Sequence, residues 1–202
     1  MIEKDQAAER RILAAAHEVF LRRGTAGARM QEIADEAGVN KALLHYYFRS
    51  KERLAQAVFE AAAMEMFGLV FQLLASPLEL EAKVRAVVDA EMEFLLAHGY
   101  LPGYILSELH HHPERITRIV ERVGRPPLEV LQGQLAEGAR EGSVRAMAVE
   151  EFVVHLVSLV VFPFAARAMV EALLGMSAAR YEAFMAERAR GLADFFLRAL
   201  RP

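Results

Sequence analysis

The chain has 202 residues, of which 54% are hydrophobic, with 24 Lys and Arg against 27 Asp and Glu for a formal net charge of −3. That length and apolar content suffice for a substantial core and exclude a disordered chain. No cysteine is present, which excludes a disulfide framework, a thiolate nucleophile and cysteine-ligated zinc or iron–sulfur.

Alanine, leucine, glutamate and arginine dominate, and β-branched alternation is scarce, so helix is expected almost throughout. Ile12, Leu13, Ala16 and Phe20 recur at helical spacing between Ala7 and Arg22, and Gly24 supplies a stop. A short helix spans Met30 to Ala37 and ends at Gly38. Another follows Asn40, a good N-cap, from Lys41 to Tyr47. Ser50 caps a helix from Lys51 to about Leu74, with Glu52 in its first turn. A further helix covers about Glu79 to Ala97, and residues 100–112 are expected to be irregular around Pro102 and Gly103. One helix, disturbed at Pro126-Pro127, is expected from Glu114 to Gly138. Two long helices close the chain, about Ala146–Leu174, kinked at Pro163, and Ser177–Leu200.

Residues 30–48, MQEIADEAGVNKALLHYYF, place two short helices on either side of Gly38, which tolerates the left-handed turn they need. Leu44 and Phe48 anchor the second helix on the core. Lys41, Ala42, Leu43, His45, Tyr46 and Tyr47 form its outer face. A helix entering a major groove needs that separation, because its outer face must reach bases and phosphates. The charge distribution permits this: residues 1–54 hold ten Lys and Arg and eight Asp and Glu, and residues 55–202 hold fourteen and nineteen.

The stretch ILAAAHEVFLRRG, followed by MQEIADEAGVNKALLHYYFRSKERLAQAVF, closely resembles the N-terminal domain of the TetR family of transcriptional regulators over about residues 10–60. The resemblance implies an all-α fold. An N-terminal three-helix helix-turn-helix domain (1–50) would join a larger helical domain for effector binding and dimerisation (51–202). It also implies a homodimer on double-stranded operator DNA, a repressor released by a small apolar or amphipathic effector. By the same resemblance Met30–Ala37 is the scaffold helix and Lys41–Tyr47 the recognition helix. Tyr47 and Lys51 then contact phosphate, and Lys41, Ala42, Leu43, His45 and Tyr46 face the groove. Three positions depart from the family's habit: Arg29 replaces a capping Ser or Thr, Leu43 a frequent Thr, and His45 a frequent Tyr. Arg29 can itself contact phosphate, and Leu43 can touch a thymine methyl but cannot hydrogen-bond a base.

In the remainder, Met66, Phe67, Val70, Phe71, Tyr104, Glu108, Phe152, His155 and Leu159 are candidate effector-lining residues, with ordinary core packing as the competing reading. Glu91, His110 and Ser158 are further polar candidates. Phe162, Phe164, Met169, Leu173, Phe184, Arg188, Leu192 and Phe195 on the last two long helices are candidates for a four-helix dimer interface. His110-His111-His112 read as surface histidines, since adjacent residues of regular backbone do not converge on one metal. No cofactor is expected. With no glycine-rich phosphate loop and no HExxH, the chain does not read as an enzyme. The N-terminus, MIEKDQAAERR, lacks the apolar core of a signal peptide. The uncharged stretch Phe152–Ala166 has 15 residues, short of the about 17–25 of a membrane span. It therefore reads as a buried helix in a cytoplasmic protein.

Overall fold

The computed structural model describes residues 2–202, apart from the side chains of residues 2–6, 118, 119, 122 and 123. Eleven helices and no strand occur among the described residues. α1 (Ile2–Gly27) is broken at Gly24, whose positive φ of 67° takes the chain out of helical geometry where the sequence marks a stop. α2 (Met30–Glu36) and α3 (Lys41–Phe48) flank Gly38, with φ at 63°. Asn40 accepts the Leu43 N–H at 2.8 Å, and Ser50 accepts the Arg53 N–H at 3.3 Å to start α4 (Lys51–Ala75).

Beyond α5 (Leu80–Ala97) the chain departs from expectation three times. Residues 101–111 form a regular helix, α6 (Leu101–His111). Pro102 sits in its first turn, where a missing N–H leaves no bond unmade. The helix expected over 114–138 is two, α7 (Arg115–Val123) and α8 (Leu128–Glu141), parted at Gly124 with φ at 87° and the two prolines. The long helix through Pro163 is likewise two, α9 (Val149–Ala165) and α10 (Arg167–Leu174), bent by 76°. α11 (Ala178–Ala199) closes the chain, with Ser177 accepting from the Arg180 N–H.

The α9–α10 bend is fixed from outside the helix. Proline at 163 removes the N–H that would bond the Leu159 carbonyl, and the Arg188 guanidinium of α11 donates to that oxygen at 2.8 Å instead. The Tyr181 hydroxyl donates to the Pro163 carbonyl at 3.0 Å. Gly99 lies against Phe164 closely enough that an added Cβ would sit 3.2 Å from its ring.

Two apolar clusters form the interior. The first joins α1–α3 to the N-terminal half of α4, as far as Met66, and to Leu101, Tyr104 and Ile105 of α6. The second packs α5, α8, α9 and α11 around Val88, Met92 and Leu131, with Phe152 edge-on to Phe196. Helix α4 belongs to both clusters, so residue 50 is not a break in packing. By length and composition α4 is apolar enough to cross a membrane, yet Leu54, Val58, Phe59, Met66 and Leu74 are buried in the two clusters.

Candidate nucleic-acid interface

The turn residues on either side of α3 hold it with one face inward. Leu44 and Phe48 are buried in the first cluster, and Lys41, Ala42, His45 and Tyr46 are exposed, Tyr46 at 71%. Leu43 and Tyr47 are half-buried. Tyr46 lies edge-on to Tyr47 at 5.4 Å between ring centroids. At the end of α3, Arg49 adopts a positive φ of 55°, a conformation side chains other than glycine seldom take. Its carbonyl lies 3.1 Å from the His45 Nδ1. A carbonyl only accepts, so Nδ1 carries the proton, and a neutral His45 presents an accepting Nε2 outward. The outward nitrogen of His45 is therefore an acceptor in the neutral ring and a donor only in the imidazolium.

Arg29 is the exposed N-cap of α2 and makes no side-chain cap bond, as its replacement of Ser or Thr implies. Lys51 reaches back to the turn before α2. Its ammonium donates to the Ala26 and Ala28 carbonyls at 2.9 and 3.2 Å, tying the start of α4 to the turn that leads into α2.

That turn has a second anchor that sequence reasoning missed. The Thr25 hydroxyl donates to Glu108 Oε1 at 2.7 Å, and the other carboxylate oxygen takes the Arg115 guanidinium. Glu108 and Arg115 are only 7% and 5% exposed, and Arg115 also lies over the Phe59 ring at 5.8 Å. Thr25, α6 and α7 meet only in the fold, so no spacing in the chain announces them.

The candidate effector residues do not come together. Met66 lies in the first cluster and Phe152 in the second, Phe67 stacks on Phe71 along α4, Val70 and Leu159 pack on the second cluster, and His155 is exposed. Of the nine, Tyr104 and Glu108 line a described cleft. Glu91 lies on the inner side of α5, and burial pushes its carboxyl up to about 7. An acid raised this way adds stability that is complete below the unfolded value near 4.5 and is lost as pH rises through about 7. The loss is on the order of 3 kcal/mol. Glu91→Gln should therefore flatten the stability profile between pH 4.5 and 8 in urea titrations. A wild-type profile already flat over that window would refute the burial of this carboxyl.

The dimer candidates divide. Phe162, Met169, Leu173, Phe184 and Phe195 are exposed, and Val154 and Val157 extend the same apolar exposure along α9. Phe164 and Leu192 are buried in the second cluster, because the apolar stripe on each helix continues onto its inward side. Arg188 is committed to the Leu159 carbonyl within the subunit. His110, His111 and His112 are exposed, with His111 Nδ1 at 2.8 Å from the Ser107 carbonyl and His112 at 3.5 Å from Glu114.

Residues 12–58 match the bacterial regulatory proteins of the tetR family. The N-terminal helices are thus similar to the DNA-reading domain of the TetR family. The match covers α3 and both of its capping turns. FasR, a transcriptional activator of Mycolicibacterium smegmatis, is 40% identical over 84 residues, 42% of this chain and 38% of its own. KstR2, a transcriptional repressor of Rhodococcus jostii, is 28% identical over 130 residues, 63% of each chain. Both matches span less than two thirds of the relative's length. A solved TetR-family regulator from Marinobacter aquaeolei shares the fold over 99% of this chain and 98% of its own, at a TM-score of 0.69 and 17% identity.

Proposed function

We propose that this chain is a sequence-specific transcriptional regulator of the TetR family that works in the cytoplasm as a homodimer on operator DNA. In this reading it is a repressor whose operator affinity falls when a small molecule binds. The observation that carries the proposal is the outward face of α3: Lys41, Ala42, His45 and Tyr46 stand exposed on a helix anchored by Leu44 and Phe48 and capped by Asn40. The exposed rings of Phe162, Phe184 and Phe195 support a shared face between two copies, which would set two recognition helices at successive half-sites. Repression is favoured over activation because the match to the repressor KstR2 spans more of the chain than the match to FasR.

Selection of bound fragments from genomic DNA tests the proposal, and should return a two-fold symmetric sequence. A folded sample that enriches no sequence would refute it. On the selected operator, His45→Ala should weaken specific binding by about 1–3 kcal/mol while leaving scrambled DNA nearly unaffected. Lys51→Ala should weaken both and lower the salt slope by about one. If Lys51 only pins the 25–28 turn, affinity falls with the slope unchanged, and the phosphate role is lost.

A further inference from the structure

A cleft of about 770 Å³ runs between the C-terminal end of α1, α6 and the bend where α9, α10 and α11 meet. That volume lies within the range of small-molecule sites, roughly 300–1,000 Å³. Phe20, Leu95, Phe164 and Met185 give it an apolar lining, and Tyr100, Tyr104 and Tyr181 add three aromatic rings. The Tyr104 hydroxyl is buried and has no hydrogen-bond partner. This is not the region in which the sequence groups its effector candidates, since Tyr104 and Glu108 are the only ones to line it.

The charged groups in and beside the cleft leave one carboxylate in excess. Glu108, Glu182 and Arg167 line it. Arg167 is held by two carboxylates, Glu171 at 2.8 Å and Glu182 at 3.3 Å, and lies over the Tyr181 ring at 4.7 Å. One wall therefore already seats a planar cation between carboxylates and an aromatic face, with one carboxylate in excess. The buried Arg115 balances Glu108. Further along, Glu18 and Glu65 raise the Tyr100 hydroxyl above its ordinary value, after burial, so negative charge reaches that ring too. A negative apolar cleft with exposed π faces disfavours carboxylates and phosphates and favours a diffuse positive charge on an apolar body.

We propose that this cleft is the effector site and that it takes a lipophilic organic cation; the assignment rests on the effector-responsive reading above. The same walls explain how occupancy reaches DNA. Gly24 and Thr25 line the cleft, and the Thr25 hydroxyl holds Glu108. On its other side the Thr25–Glu108 contact faces a second cleft lined by Lys51 and Arg53, so the contact is a thin partition between the bound cation and the start of α4. A ligand that displaces Thr25 moves the turn whose Ala26 and Ala28 carbonyls hold the Lys51 ammonium. A shift there alters both the start of α2 and the amine proposed to meet phosphate.

Tetraphenylphosphonium and tetraphenylborate test this on the full chain, because they match in shape and differ in the sign of the charge. With no tryptophan and five tyrosines in the chain, tyrosine fluorescence reports on three rings of the cleft, and calorimetry gives stoichiometry. The phosphonium should bind once per subunit, about tenfold or more tighter than the borate. It should weaken operator binding. Glu182→Lys, at an exposed position, should lower phosphonium affinity about tenfold and raise that of the borate, and Glu182→Gln should fall between. Borate binding as tight as phosphonium binding, a Glu182→Lys variant with unchanged affinities, or saturable phosphonium binding without effect on DNA would each overturn the assignment. Operator binding measured without ligand separates the two proposals. Retained DNA binding with no phosphonium binding overturns the cleft assignment alone, whereas a folded protein that binds no DNA overturns the regulator reading beneath it.

Discussion

Glu108→Ala should destabilise the protein by about 3–5 kcal/mol, because it strands the Arg115 guanidinium in the interior. Arg115 is 5% exposed and has Glu108 as its ion partner, with the Phe59 face as further compensation among the described residues. Glu108→Gln keeps one carbonyl oxygen for the guanidinium and turns its NH2 to donate to the Thr25 hydroxyl, but loses the charge, and should fall between the alanine variant and wild type. Thr25→Val removes one hydroxyl donor and should cost about 1 kcal/mol. The ordering is the informative feature. Urea midpoints at constant slope would give it, and a Glu108→Ala variant within about 1 kcal/mol of wild type would show that the pair is open to water. The double replacement Glu108→Leu with Arg115→Met should recover much of the loss, since a buried pair is worth little more than well-packed apolar groups.

The second large effect is on assembly. Phe162→Asp combined with Phe195→Asp should yield a folded monomer whose operator affinity is lower by about 100-fold or more. One recognition helix would then bind without the effective concentration its partner supplies. Both rings are more than half exposed, 52% and 53%, so the subunit core loses little. Sedimentation would report the mass, and binding to scrambled DNA would report whether α3 itself survives. A dimer of unchanged mass would move the interface elsewhere. Leu192→Asp makes a useful contrast: that side chain lies inside the second cluster, so the substitution should unfold the protein rather than dissociate a dimer.

The helix-turn-helix is legible in the chain alone because its signals are local. Gly38 supplies the turn, Asn40 and Ser50 cap the helices they precede, and Leu44 with Phe48 marks the inward face. The α6 helix is hidden because Pro102 and Gly103 look like breakers, although a proline in the first turn is harmless. The apolar α9 and α11 resist reading for another reason. A helix apolar on two sides does not reveal which side faces out, so the sequence groups Phe164 and Leu192 with Phe162 and Phe195. Thr25, Arg115 and Arg167 escape notice because their partners lie on other elements, and their contacts exist only once the chain has folded.

The proline at 163 carries a consequence for the proposed pairing of two subunits. In an unbroken helix the Leu159 carbonyl would be taken by the next turn, and Arg188 would be left to project its charge beside Phe184 and Phe195. Two such charges would meet near a two-fold axis and repel. By leaving one carbonyl of α9 without its backbone partner, the proline ties the Arg188 guanidinium to its own subunit beside Phe184 and Phe195. A replacement that repairs the helix, such as Pro163→Ala, should therefore raise the urea midpoint of the isolated subunit and weaken the proposed dimer, as sedimentation would report. In the proposed dimer, a local defect in one helix would thus neutralise a contact at the face between two molecules.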